Sequence, residues 1–175
     1  MKKVSKQKNK IPYKQKWNDE NGRSIAPTAT EQEQGKKGFE DSRRLKVLED
    51  IIKQTDLFPI FVKNRKPDKS TIYRCYLWIS EISFKRKHEN LACIDLMGNK
   101  LNLNVRPFGK GKNREDLLKL PEEDLKQFSN PENTDKGWRN LIITDDKIQL
   151  AIKALNTLNE NYSDKYDLNI DRSKR

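Results

Sequence analysis

Cations set among amides, aromatics and glycines are the residues of this 175-residue sequence whose types and spacing suit chemistry. Lys8, Lys10, Lys14 and Lys16 lead up to Trp17, with Tyr13 among them. Ammonium groups meet phosphates while aromatic faces stack on bases, so this mixture fits a nucleic acid. A second cluster is Lys85-Arg86-Lys87-His88, and a third is the run Pro107–Asn113, where Lys110 and Lys112 alternate with Gly109 and Gly111. Glycine lets backbone amides and ammonium groups approach an anion closely. The run lacks the G-x-x-x-x-G-K-[ST] order of a phosphate-binding loop, and a solvated connection fits it equally.

A fourth group lies on predicted strands. Lys100–Arg106 alternates, with Leu101, Leu103 and Val105 facing one way and Lys100, Asn102, Asn104 and Arg106 the other. Period-two alternation means one buried and one wet face, so the second set reads as a polar donor array of two amides and two cations. In the apolar run 71–84, Arg74, Tyr76 and Trp78 share one face. Two arrangements are open. On the same side as Asn102 and Asn104, they present aromatics amid cations; packed under a helix, Tyr76 and Trp78 are core.

Catalytic constellations do not emerge. His88 stands alone among cations, and Cys75 and Cys93 have no close Cys or His neighbours, so neither a zinc site nor a disulfide framework is expected. A reducing cytoplasmic setting suits two lone cysteines. Asp68 and Glu81 with Lys85 have the wrong spacing for a magnesium nuclease, and no acidic-x-Lys follows Asp95. Glu122, Glu123 and Asp124 sit at a predicted helix start, where the dipole explains them. No metal or cofactor is expected.

The net charge of +11 is unevenly placed. Residues 1–38 carry ten basic and four acidic side chains and residues 57–113 twelve and four, whereas the other two stretches are slightly acidic. With 36% charged and only 33% hydrophobic residues, part of the chain reads as tail rather than core. No apolar run approaches the roughly 20 residues of a membrane helix.

The elements that must position these groups follow from periodicity. Residues 1–38 are too polar to offset an ordering cost of roughly 1–2 kcal/mol per residue, so they read as a disordered basic arm. Residues 39–55 repeat apolar positions at Leu45, Leu48, Ile51 and Ile52, predicting one amphipathic helix capped by Asp41 or Ser42. Residues 57–63 predict an edge strand starting after Pro59, 71–84 a long strand, and 91–97 with 100–106 a hairpin about Gly98-Asn99. Two short helices are expected over 114–128, a loop over 129–140, and a helix over 145–161 with Thr144 as its N-cap.

The fold class is therefore α+β: a small antiparallel sheet of about four strands, a preceding helix, a C-terminal helical segment and the arm. The predicted domains are the arm over 1–38, one α+β unit over 39–165 and a polar tail over 166–175. The leading function is non-catalytic binding of RNA or DNA through phosphates, using Lys8, Lys10, Lys14, Lys16, Trp17, Arg74, Lys85, Arg86, Lys87, Lys100, Asn102, Asn104, Arg106, Lys110 and Lys112. The alternative is a protein-interaction module anchored by Trp17, Trp138 or a sheet edge, such as a component or mobile-element inhibitor of a nucleoprotein complex. The third reading is a metal-independent ribonuclease of the toxin kind using Arg74, Tyr76, His88 and Arg106. No membrane partner is expected.

Overall fold

The chain is described by a computed structural model over residues 27–65, 68, 70–81, 84, 90–105, 117–129 and 138–166. Most of the predicted arm, the predicted tail beyond 166 and both basic loops lie outside these residues.

Helix α1 (Ala29–Asp41) begins inside the stretch assigned to the arm. The sequence Thr28-Ala-Thr-Glu31 is a capping box: Thr28 Oγ1 accepts from the Glu31 amide at 3.2 Å, and Glu31 Oε2 accepts from the Thr28 amide at 2.8 Å. Reciprocal capping satisfies two orphan amides and lets this polar stretch start a helix. Packing then holds it. A Cβ on Gly35 would stand 2.7 Å from the Val62 nitrogen, and one on Gly38 would stand 2.2 Å from the Tyr73 ring, so the two glycines let α1 lie directly on the sheet. Phe39 follows, buried with its ring edge-to-face against Phe61 at 5.9 Å.

The single helix expected over 39–55 is instead broken. Ser42 closes α1, donating from Oγ to the Phe39 carbonyl at 2.8 Å, and Arg43 takes a left-handed φ of 60°. Helix α2 (Leu45–Thr55) starts afresh, so Glu40, Asp41 and Ser42 terminate one helix rather than open the next. At its far end, the Gln54 and Thr55 carbonyls accept from the Asn156 and Asn159 amides, answering the helix's orphan acceptors.

Five strands form one antiparallel meander in the order β1 (Phe58–Arg65), β2 (Thr71–Trp78), β3 (Ala92–Met97), β4 (Lys100–Val105) and β5 (Arg139–Ile143). β1 is an edge strand, as its proline requires, although it starts at Phe58 rather than after Pro59. β2 stops at Trp78, short of the expected 84. Gly98, with φ 64°, turns the β3–β4 hairpin where predicted. β5 is the strand the sequence reading missed, because it is only five residues long and its first two fell in the predicted loop.

Two short helices were expected over 114–128; among the described residues there, a single turn, α3 (Glu122–Leu125), is helical, with acidic residues in its first turn. Leu117, Leu118 and Leu120 are buried without being helical. Thr144 precedes a 3-10 turn (Asp145–Lys147) rather than capping a helix directly, and α4 (Ile148–Tyr166) follows. Asn161 Nδ2 on α4 donates to the Leu117 carbonyl at 2.7 Å, pinning that segment.

The main core fills the space between the helices and one sheet face. Leu101, Leu103 and Val105 of β4 meet Cys75, Leu77 and Ile94, with Leu48 and Ile51 from α2 and Leu155 and Leu158 from α4 in the same cluster. Each such aliphatic side chain contributes about 1.5–3 kcal/mol on burial. The predicted inward set of β4 is therefore the observed one.

Candidate nucleic-acid interface

The register builds the second face of the sheet in rows. One row runs Arg74–Asp95–Asn102–Ile142, and the next Tyr76–Cys93–Asn104–Asn140. Alternation along each strand then puts Ile60, Val62 and Trp78 on this face as well.

Half of this face is apolar. Trp78 is only 4% exposed, and its ring packs edge-to-face on Phe84 at 5.1 Å. Ile60, Val62, Tyr76, Cys93 and Phe84 complete a cluster that is separate from the main core, with Phe58 at its margin. Of the two arrangements left open, Tyr76 and Trp78 do share a side with Asn102 and Asn104. They are nevertheless buried, because the chain leaving β2 folds Phe84 back over them. Neither ring is an open stacking platform.

The other half is a hydrogen-bonded relay. Arg74 grips Asp95 with two parallel bonds, Nε to Oδ1 at 2.5 Å and Nη2 to Oδ2 at 2.8 Å, the bidentate geometry that a planar guanidinium favours. Arg74 Nη1 also donates to the Tyr76 hydroxyl at 3.2 Å, with the guanidinium 5.5 Å from that ring's centre. Burial alone would lower the arginine's pKa. The Asp95 bond and the Coulomb attraction of Cys93 and Asp95 outweigh it and hold the pKa above its ordinary value. Asp95 Oδ2 accepts a further bond from Asn104 Nδ2 at 3.4 Å, and Asn104 Oδ1 accepts from Asn102 Nδ2 at 3.2 Å.

Four of the predicted site residues thus come together: Arg74, Lys100, Asn102 and Asn104 share this face. Their chemistry differs from the donor array expected. The fork of Arg74 faces a carboxylate, and the amide hydrogens of Asn102 and Asn104 bind within the face. Asp95 is the residue that sequence reasoning overlooked as a partner. The Gly98-Asn99 turn fixes Asp95 opposite Asn102, so half of that signal was legible. Its pairing with Arg74 crosses a connection whose length no periodicity reads. Lys8, Lys10, Lys14, Lys16, Trp17, Lys85, Arg86, Lys87, Arg106, Lys110 and Lys112 lie outside the described residues.

Leu77 pairs with Ala92, Ala92 with Val105 and Val105 with Arg139, so β2 and β4 end, and β3 and β5 begin, at the same end of the sheet. The described residues hold 16 basic and 17 acidic side chains, and the rest of the chain holds 21 and 9.

Among the described residues no three His, Cys, Asp or Glu side chains group as metal ligands, and no helix is long and apolar enough to cross a membrane. No family model, curated protein or solved structure matches the chain.

Proposed function

We propose that this chain is a non-catalytic nucleic-acid-binding protein that holds RNA or DNA mainly through phosphates. The segregation of charge carries the reading. A protein that needed cations only for solubility would mix both signs over its stable surface. Here residues 1–38 carry ten basic and four acidic side chains and residues 57–113 twelve and four, while the stretches between and after them are slightly acidic. Cations gathered in this way neutralise phosphates and release counterions. Tyr13 and Trp17 in the arm add base stacking.

A salt titration with oligonucleotides tests it. The full chain should bind at low salt, with log affinity falling linearly against log salt. Reversing Lys85, Arg86 and Lys87 to Glu should flatten that slope by about 0.7–0.9 for each phosphate left without its cation. The melting temperature should stay unchanged. Exposed Met97 and Ile142 on the second face support the rival reading, a protein-interaction module. That reading takes over if no oligonucleotide binds at low salt and a protein partner is held independently of salt.

A further inference from the structure

The relay on the second face has a direction, and the direction leaves one atom over. A guanidinium only donates, so Arg74 fixes both Asp95 oxygens as acceptors. Asp95 therefore fixes the Asn104 nitrogen as the atom turned towards it, which leaves Asn104 Oδ1 to accept from Asn102 Nδ2. The end of the chain is Asn102 Oδ1. That oxygen is buried, with no hydrogen-bond partner, on a residue 9% exposed. An unsatisfied buried acceptor is uncommon in a folded protein and marks a place where a donor is missing.

Its surroundings say what kind of donor. Asn102 stands opposite Ile142, which is 42% exposed, and two positions from exposed Lys100, whose cross-strand partner Met97 is 54% exposed. A fitting ligand offers an N–H to Asn102, an apolar surface to Ile142 and Met97, and a negative charge to Lys100. We propose that Asn102 Oδ1 receives the exocyclic amino group of an unpaired nucleobase, with Lys100 on a neighbouring phosphate and Ile142 and Met97 against base and sugar. Because the oxygen is buried, receiving the donor requires a flanking side chain to move aside. The base must be unpaired because duplex grooves admit a helix or a two-stranded ribbon, and this surface is one face of a five-stranded sheet. Adenine, cytosine and guanine carry an exocyclic amino group. Thymine and uracil offer only an imide N–H between two carbonyl oxygens that would crowd the acceptor. This inference rests on the nucleic-acid reading above and assigns it a ligand class, single strands rich in amino-bearing bases.

The test is competition among four single-stranded probes for the full-length chain: oligo-dC, oligo-dT, oligo-dA, and an oligomer of the purine nucleoside that lacks the 6-amino group. The dC probe should bind more tightly than dT, and dA more tightly than the oligomer lacking the 6-amino group, each by about twofold to tenfold, the range of one net hydrogen bond. In Asn102→Leu both ratios should fall to one while the salt slope is unchanged, since no cation is removed. Equal binding of all four probes by the native chain, or ratios that survive in Asn102→Leu, would overturn the assignment and leave phosphate binding standing. Should Asn102→Leu fail to melt cooperatively, the dA comparison decides alone, because it alters only the ligand. A native chain that binds none of the probes at low salt takes down the nucleic-acid reading and this inference together.

Discussion

The two faces of β4 use the same backbone and opposite physics. Leu101, Leu103 and Val105 look into an apolar core shared with α2 and α4, where stability grows with area and no single contact is decisive. Lys100, Asn102 and Asn104 look the other way, where hydrogen-bonding side chains from β2, β3 and β4 form a chain in which each link fixes the next. Area tolerates loss in proportion. A relay fails at whichever link is broken, because the remaining groups stay buried and unpaired.

The largest expected effect is on the core face. Leu103→Asp buries an unpaired charge and should cost about 4 kcal/mol or more, read as loss of cooperative unfolding in denaturant. A mild result would mean that β4 is not sealed by the helices. Next comes the relay's head. Arg74→Met alone leaves Asp95 buried without its partner and should cost about 3 kcal/mol, whereas the double variant Arg74→Met/Asp95→Leu should recover most of that loss. If the double variant is as unstable as the sum of its parts, the pair is not a closed unit and the contrast between faces weakens.

Close behind is Gly38→Ala. Its Cβ would press on the Tyr73 ring, so α1 must lift off the sheet, at a cost of about 2 kcal/mol in unfolding free energy. An unchanged melting temperature would return residues 29–38 to the arm. Asn102→Asp sharpens the comparison further. Read from alternation alone, this substitution on a wet face is harmless. The relay says otherwise, because a carboxylate would face Asn104 Oδ1 close to Asp95, and a cost of about 1–3 kcal/mol is expected in thermal melts. Lys100→Ala should be smallest, within about 0.5 kcal/mol for folding, while lowering the salt slope of oligonucleotide binding.

How much was legible differs from place to place. The β3–β4 hairpin was readable because Gly98 supplies the positive φ its turn requires, and the alternating Leu101, Leu103 and Val105 name the inward face. The capping box of α1 was also present in Thr28 and Glu31, but the polar composition around it masked it, and its stabilising contacts are tertiary. The break at Arg43 was not read because Phe39 stands six residues before Leu45, a spacing that also fits the face of one continuous helix. β5 was too short for its alternation to stand out from the loop before it.

By itself the sequence determined the α+β class, the edge position of β1, the hairpin register and the placement of charge along the chain. All of these depend on neighbours a few residues apart, whose steric and hydrophobic preferences act before the chain is folded. Only the tertiary structure decided that Arg74 is matched by Asp95, that Tyr76 and Trp78 are covered by Phe84, and that the amides of β4 end in a lone acceptor. Those outcomes hang on cross-strand register between segments separated by long connections, and on which side chain arrives to cover a face. Local propensity carries no information about either, because a two-residue shift of register would exchange every partner while leaving each strand's inward and outward faces as they are.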